Sequence, residues 1–159
     1  MTGFAVPGYQ LQRGSPLDRA RLVKFMERNW GELAPDQPRQ HLVSTIDRYL
    51  SADTPLWWVQ SQASSEAIAG LWLGWATDQN NGQLHPYLLL LYVNPDHRRR
   101  GLASALLETA HRWARQAGYG QISLQVLSHN QAAQSLYQKL GYQPQAILMS
   151  RLLPSETCY

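Results

Sequence analysis

The stretch LLYVNPDHRRRGLASALL, residues 90–107, decides the fold, because it joins a strand, a short loop and a helix start in one run. Leu90–Val93 are apolar, Arg98–Arg100 form a basic loop, and Gly101 stands where the helix begins. A helix N-terminus presents unpaired amides and a positive dipole end, so this junction is suited to hold a pyrophosphate. Arginine side chains can add charge-assisted contacts to phosphate. A solvated surface loop with a glycine in a tight turn is the alternative interpretation.

The residues on either side predict an α+β domain with a central mixed, mostly antiparallel sheet of about seven strands and about four flanking helices. A parallel pair is expected through the helix that starts at Gly101. Alternation and turn signals, including the hairpin pair Asn81–Gly82, predict strands over 9–13, 56–60, 67–76, 84–93, 121–127 and 146–153. Helical spacing, caps and stops predict helices between Pro16 and Pro35 and over about 39–50, 101–117 and 130–140.

Length and composition indicate one folded domain over residues 1–159. The chain is 44% hydrophobic and 16% charged, which is too apolar for a disordered protein. A net charge of +3 with one basic run is too small and dispersed to indicate a nucleic-acid partner. The single cysteine, Cys158, allows neither an internal disulfide nor a cysteine metal cluster, and no apolar run is long enough to cross a membrane. We therefore expect a cytoplasmic protein with no metal, no membrane partner and no nucleic-acid partner.

A second block follows the segment 121–127: Asn130 as a helix cap and Gly141 as a stop, with Ala133, Leu136, Tyr137, Leu140 and Tyr142 at set spacings. Together the two blocks resemble the GNAT superfamily of N-acetyltransferases. The acetyl-CoA loop of that family reads Gln or Arg, two residues, Gly, one residue, Gly or Ala, which residues 98–103 match. Val93 and Pro95 match the family's Val-x-Pro, and the downstream block matches its Asn, Ala, Leu-Tyr and Gly-Tyr pattern. The likeness is greatest to members that acetylate peptide N-termini.

The resemblance implies that acetyl-CoA is the co-substrate and inserts into a split between the strands 84–93 and 121–127. It implies that backbone groups at the end of the fourth strand face the thioester, that the loop amides hold the pyrophosphate, and that the last helix contacts the pantetheine arm. The cofactor-binding residues implied in this way are Leu91, Tyr92, Val93, Arg98, Arg99, Arg100, Gly101, Leu102, Ala103, Ser104, Asn130, Ala133 and Tyr137. Asn130 serves equally as an ordinary helix cap.

The resemblance also implies a general acid at Tyr137, which would protonate the departing CoA thiolate. A tyrosine that packs one face of its helix is the alternative interpretation. Many relatives use a glutamate of the fourth strand as general base, and this strand has none. His85 and Tyr87 are the polar candidates on its alternate-residue face, and histidine titrates in the useful range. A bulge in this strand would change which residues share that face.

The function implied is transfer of an acetyl group to a primary amine by direct attack on the thioester, without a covalent enzyme intermediate at Cys158. A protein or peptide N-terminus is the first acceptor expected, and a polyamine, amino acid or amine antibiotic the second. A non-catalytic acyl-CoA sensor is the alternative from another class, and a homodimer is a prior expectation. Residues considered for the acceptor side are Trp30, Trp57, Trp58, Trp72, Trp75, Glu32, Asp36 and Asp78, with core packing or solvated surface positions as the alternative. Trp57 and Trp58 should point to opposite faces of their strand, so that one of them lines the acceptor cleft or an interface.

Overall fold

The computed structural model describes residues 4–156. In chain order its helices and strands are β1 (Tyr9–Arg13), α1 (Arg19–Leu33), α2 (Gln40–Tyr49), β2 (Leu56–Ser61), β3 (Ala67–Thr77), β4 (Leu84–Val93), α3 (Leu102–Gln116) and α4 (Gln131–Lys139). Short 3-10 turns precede α1, at Pro16–Asp18, and follow β4, at Pro95–His97. These bounds confirm the four expected helices and the first four expected strands to within a few residues.

Local signals explain where the elements begin and end. The Ser15 hydroxyl accepts a hydrogen bond from the Leu17 amide, and the Asp18 carboxylate accepts one from the Ser15 amide, so a capping box starts the first helical segment. In the turn between β3 and β4, Gly82 has a φ of +71°, which the hairpin signal of Asn81 and Gly82 anticipated.

The sheet has the order β1-β2-β3-β4 and every pair is antiparallel. Between Trp72 and Leu73 of β3, the partner on β4 passes from Leu90 to Leu88, which leaves Leu89 as an extra residue. This is a β-bulge in the fourth strand, and it shifts the alternation of the residues that follow it.

The two faces of the sheet bury different residues. One face packs against α1 and α2, where Trp58, Trp72 and Leu90 join one apolar core. On the other face the Trp57 ring lies 6.2 Å from that of Trp113 in α3. Trp57 and Trp58 therefore point to opposite faces, as expected, but both are buried, at 5% and 1% exposure, so neither lines an open cleft.

The sheet has four strands in the residues described, so the expectation of about seven was wrong. Residues 121–127 form one parallel bridge to β4, between Tyr87 and Ser123, and no continuous ladder, so the expected parallel pair is reduced to that bridge. Residues 146–153 belong to no strand, and their apolar side chains, such as Ile147 at 85%, are exposed. Alternation of apolar and polar residues indicates that a segment can form a strand. A strand in a sheet also needs a neighbouring strand with which its hydrogen bonds are in register.

The chain divides into two compact units, Met1–Leu127 and Ser128–Tyr159, of which residues 4–127 and 128–156 are described. In the second unit, Gly141 has a φ of +94° after the end of α4, and the Tyr142 amide donates to the Tyr137 carbonyl. Cys158 lies outside the described residues. Among the helices of residues 4–156, none combines the length and apolar character that crossing a membrane requires.

Candidate active site

The loop between β4 and α3 ends in an open helix N-terminus. Gly101 caps α3 with a φ of +81°, and as a glycine it has no side chain that could accept a hydrogen bond from the first turn. The first backbone bond to Gly101 comes from the Ala105 amide, so the amides of residues 102–104 have no partner inside the helix. A Cβ at Gly101 would meet nothing within 4 Å, so glycine is needed here for its backbone conformation. Free amides at a helix N-terminus are suited to bind an anion.

Arg98 braces the first half of this loop. Its Nε donates to the Val93 carbonyl at 2.9 Å, and its Nη2 donates to both Glu32 carboxylate oxygens, at 2.7 and 2.9 Å. The Tyr92 hydroxyl also donates to Glu32, at 3.2 Å. Burial raises the pKa of Tyr92, and the negative charge of Glu32 raises it further. Arg98 thus ties the end of β4 to the end of α1.

Tyr9 of β1 braces the second half. Arg100 Nη1 donates to the Tyr9 hydroxyl at 2.7 Å, and that hydroxyl lies 2.8 Å from His97 Nδ1. Arg99, which lies between the two braced arginines, is exposed and has a φ of +62°, an uncommon conformation for a side-chain-bearing residue. The guanidinium groups of Arg98 and Arg100 therefore bind protein groups and shape the loop.

Beside the loop, β4 separates from residues 121–127. The Ser123 amide donates to the Pro86 carbonyl at 3.1 Å, and the Leu88 amide donates to the Ser123 carbonyl at 2.9 Å. Among the described residues 124–126, no backbone–backbone hydrogen bond to β4 follows, although the Gln125 backbone bonds the Tyr87 side chain. The predicted split between β4 and residues 121–127 would therefore open beyond the Tyr87–Ser123 bridge.

His85 and Tyr87 lie next to the contact between β4 and Ser123 and share one face of the sheet. On β3, Gly74 and Ala76 lie on the same face as Trp72, which belongs to the core beneath α1 and α2. Gly74 pairs with Tyr87 and Ala76 pairs with His85. Because paired residues point to the same side, both candidates for the general base face the side of the sheet that α1 and α2 cover.

The surroundings of the two candidates differ. His85 is 7% exposed; its Nε2 lies 2.6 Å from Ser123 Oγ, and its Nδ1 is buried without a hydrogen-bond partner. Tyr87 is half-buried, and burial raises the pKa of its phenol, while a hydrogen bond from the Gln125 backbone acts in the opposite direction. Tyr87 is therefore a neutral phenol at physiological pH.

Two of the carboxylates considered for attracting an amine are already paired. Glu32 binds Arg98, as described above. Asp78 accepts hydrogen bonds from the Asn80 amide and from Gln121 Nε2, which hold the pKa of its carboxyl below the ordinary value. Asp78 also lines an open cavity of about 370 Å³ together with His85 and Tyr119. Within residues 4–156, no group of three His, Cys, Asp or Glu side chains could hold a metal.

The second unit holds the remaining predicted residues. Asn130 Oδ1 accepts from the Ala133 amide at 3.3 Å, so Asn130 caps α4. Burial raises the pKa of Tyr137 to about 12, and the Tyr137 and Tyr142 rings lie 5.6 Å apart in an edge-on contact. Tyr137 thus has the packing expected of a helix-face aromatic and a phenol that keeps its proton.

Sequence reasoning missed Tyr9 and Ser123 and treated Glu32 only as a free carboxylate. Each of the three acts through a contact with a residue at least 38 positions away along the chain. No local pattern marks such contacts, since periodicity and capping report on neighbours within a few residues.

A strand, a braced basic loop and an open helix start together form a candidate phosphate-binding site in an α+β domain. The model of the acetyltransferase (GNAT) family matches residues 20–142. The chain belongs to this family of acetyltransferases, and the resemblance to the family that the sequence indicated is confirmed.

Named relatives agree with this membership. The uncharacterized N-acetyltransferase YdgE of Bacillus subtilis (strain 168) is 31% identical over 91% of this chain and 92% of its own length. N-acetyltransferase 8F1 of Rattus norvegicus is 27% identical over 77% of this chain, which spans 55% of that relative's length. The solved structure of AAC(6')-Iy with the bisubstrate analogue CoA-S-monomethyl-acetylneamine has a TM-score of 0.69 at 18% identity and covers 92% of this chain and 99% of its own.

Proposed function

We propose that this protein transfers the acetyl group of acetyl-CoA to a primary amine, which attacks the thioester directly. The observation that carries the proposal is the open N-terminus of α3, where the amides of residues 102–104 lack helical partners behind a loop braced by Arg98 and Arg100. A pre-shaped set of backbone donors binds a pyrophosphate without reorganising. Family membership supports acetyl-CoA as the molecule that carries it.

Residues of the first unit would bind and polarise the donor. The amides of Arg99–Ser104 hold the pyrophosphate. The backbone of Leu91–Val93 lines the separated edge of β4 and faces the thioester. Amides in that position would stabilise the negative charge that develops on the thioester oxygen when the amine attacks.

Proton transfer needs an acid and a base. Tyr137 is proposed as the acid that protonates the CoA thiolate, supported by its place in the second motif. Burial raises the pKa of its phenol, so the phenol carries a proton at physiological pH. Tyr87 keeps its proton for the same reason, so its proposed role is to donate a hydrogen bond at the apex of the split. His85 is the proposed base, because histidine is the side chain used most often in general acid–base catalysis.

The first acceptor we propose is a peptide or protein α-amine, because residues 93–142 resemble family members that acetylate peptide N-termini. A small amine is second, and AAC(6')-Iy, described as an aminoglycoside N-acetyltransferase, supports it through its shared fold. The location of the protein in the cytoplasm and its assembly as a homodimer remain predictions.

The test is CoA release from acetyl-CoA with four sets of amines: peptides with free N-termini, lysine peptides, polyamines and aminoglycosides. N-terminally blocked versions of the same peptides are the matched control. A parallel calorimetric titration measures acetyl-CoA affinity. Release with free but not blocked peptides supports the first acceptor. Binding without release across all sets points to an acyl-CoA sensor, and absence of both overturns the proposal.

A further inference from the structure

An open cavity of about 370 Å³ lies between the turn that joins β3 to β4 and the residues that follow α3. Asp78 and His85 line the cavity from the first side, and residues 118–121 line it from the second. Gln121 Nε2 donates to Asp78 Oδ2 at 3.0 Å, so a hydrogen bond joins the two sides. A Cβ at either glycine of residues 118–121 would meet no atom within 4 Å, so that wall is open to a ligand. All of these residues belong to the first unit.

The cavity is distant from the candidate acetyl-CoA site. It lies beyond the C-terminal end of α3, and the 15 residues of that helix span about 22 Å from the free amides at its start. It also lies at the beginning of β4, where an extended strand separates His85 from Leu91 by about 20 Å. A molecule in this cavity therefore does not reach the positions proposed for the pyrophosphate and the thioester.

Asp78 brings to the cavity a negative charge that no neighbouring cation neutralises. Its Oδ1 accepts from the Asn80 amide at 2.7 Å and its Oδ2 from Gln121 Nε2, and both donors are neutral. These hydrogen bonds hold the pKa of the carboxyl below its ordinary value, so the carboxylate is ionised. Among residues 4–156, no Lys, Arg or His nitrogen lies within 4.0 Å of it, and His85 Nε2 contacts Ser123 Oγ instead. Each carboxylate oxygen can still accept a further hydrogen bond.

Tyr119 gives the cavity an aromatic wall that two other rings hold in place. Its ring stacks on that of Trp113 at 5.9 Å between centroids, with 26° between the planes, and lies 5.4 Å from the ring of Trp75. All three side chains are partly exposed. An aromatic face attracts a cation and also packs against the apolar part of a ligand. A carboxylate and an aromatic face in one cavity therefore favour a ligand that combines a positive charge with an apolar group.

We propose that this cavity binds a small organic ammonium ion, with its nitrogen against Asp78 and its apolar part against Tyr119. The volume is near the lower end of the range for small-molecule sites, which fits a compact amine. Within residues 4–156, no group of three His, Cys, Asp or Glu side chains could hold a metal ion instead. The bound amine is not the acceptor of the proposed reaction, because the thioester would lie about 20 Å away. Binding here does not require that the protein transfer an acetyl group.

Calorimetric titration of the whole protein with N,N-dimethylbenzylamine tests the site. This probe is a tertiary ammonium at neutral pH and has no N–H that an acetyl group could replace in a stable amide. We expect it to bind with a Kd of about 1 mM or lower. Benzyl methyl ether, which carries the same ring without the charge, should bind about 10-fold more weakly. Absence of saturable binding by the probe, or equal affinity for the two compounds, overturns the proposal.

Two sets of variants locate the binding. Asp78→Asn removes the charge at nearly constant shape, so the affinity for the probe should fall about 10-fold while the Kd for acetyl-CoA stays the same. Asp53→Asn, at an exposed carboxylate in the turn before β2, is the matched control. Tyr119→Leu should weaken binding about 3-fold, whereas Tyr119→Phe, which keeps the ring, should not. Equal affinity in Asp78→Asn and wild type overturns the site. If Asp78→Asn does not fold, equal affinities of the two Tyr119 variants do so.

Competition with CoA separates this site from the candidate acetyl-CoA site. Addition of CoA should leave the affinity for the probe unchanged, because the two sites lie at opposite ends of α3. Displacement of the probe by CoA overturns the proposal of a separate site. Absence of CoA release from acetyl-CoA with every amine overturns the proposed function and leaves the ammonium site intact.

Discussion

Burial determines the chemistry of single side chains in this protein. The Tyr137 phenol has its pKa raised to about 12 because the surrounding chain excludes water from the ionised form. Tyr87 shifts in the same direction for the same reason. Both therefore keep their protons throughout the physiological range and can act there as hydrogen-bond donors.

We expect Tyr137→Phe to lower kcat by about 100-fold, because the CoA thiolate loses its proton donor. The Kd for acetyl-CoA should stay the same, since the ring is retained. Steady-state CoA release and calorimetry measure the two quantities. Tyr142→Phe, which removes the hydroxyl of the neighbouring ring, is the matched control. Unchanged turnover in Tyr137→Phe would remove this residue from the acid role.

The raised pKa of Tyr137 also makes the stability of the fold depend on pH. A phenol whose pKa is raised in the folded state stabilises the fold below its unfolded pKa of about 10, and that contribution is lost as pH rises towards 12. The loss is on the order of 2 to 3 kcal/mol for a shift of this size. Urea unfolding at pH 9 and above pH 11 should therefore show a smaller decrease for Tyr137→Phe than for wild type.

Among elements, the junction of β4 with α3 depends on braces from two distant parts of the first unit. Glu32 at the end of α1 holds Arg98, and Tyr9 in β1 holds Arg100. The side chains of Arg98 and Glu32 are each about two-fifths exposed, so their ion pair contributes little to the stability of the fold. Its main effect is to fix the position of the loop. Helix α1 and strand β1 thereby set the position of the loop amides.

Gly101→Glu should abolish acetyl-CoA binding, because it places a negative charge at the proposed pyrophosphate site. Space is not the obstacle, since a Cβ there meets nothing within 4 Å, and backbone strain costs about 1 to 2 kcal/mol. Calorimetric titration measures the loss. Gly118→Glu is a matched control just beyond the other end of α3, with a φ of +89° and equal open space. Equal affinity in the two variants would contradict the loop assignment.

For the whole molecule, a ligand that binds only the folded chain must stabilise it by mass action. At 100 times Kd, acetyl-CoA should raise the free energy of unfolding by about 2.7 kcal/mol, which corresponds to a Tm increase of about 5 to 10 °C for a chain of this size. Thermal unfolding with and without acetyl-CoA measures it, and Gly101→Glu should show no increase.

Nucleic acid provides the contrasting ligand in the same experiment. With a net charge of +3 and two of the three loop arginines bound to protein groups, the chain should gain no stability from DNA or RNA at physiological salt. A salt-sensitive Tm increase with nucleic acid that acetyl-CoA fails to displace would contradict both the loop assignment and the proposed function.

Much of this protein follows from its sequence alone. The helices, the strands β1 to β4, the Asn130 cap and the open start of α3 all lie where local patterns predict them. Each depends on interactions within a few residues, such as a capping side chain, a glycine with positive φ or a periodic apolar face. The residues that make those interactions lie close together in the sequence, and so do the residues within each of the two motif blocks that indicate the family.

Only the tertiary structure decided the rest. Residues 121–127 and 146–153 carry strand-like patterns but do not enter the sheet ladder, because ladder formation depends on a partner elsewhere in the chain. Arg98 meets Glu32 across 66 positions, and His85 meets Ser123 across 38. Such pairs form when packing brings distant segments of the chain together. A pattern of neighbouring residues does not show which distant segment will pack against them.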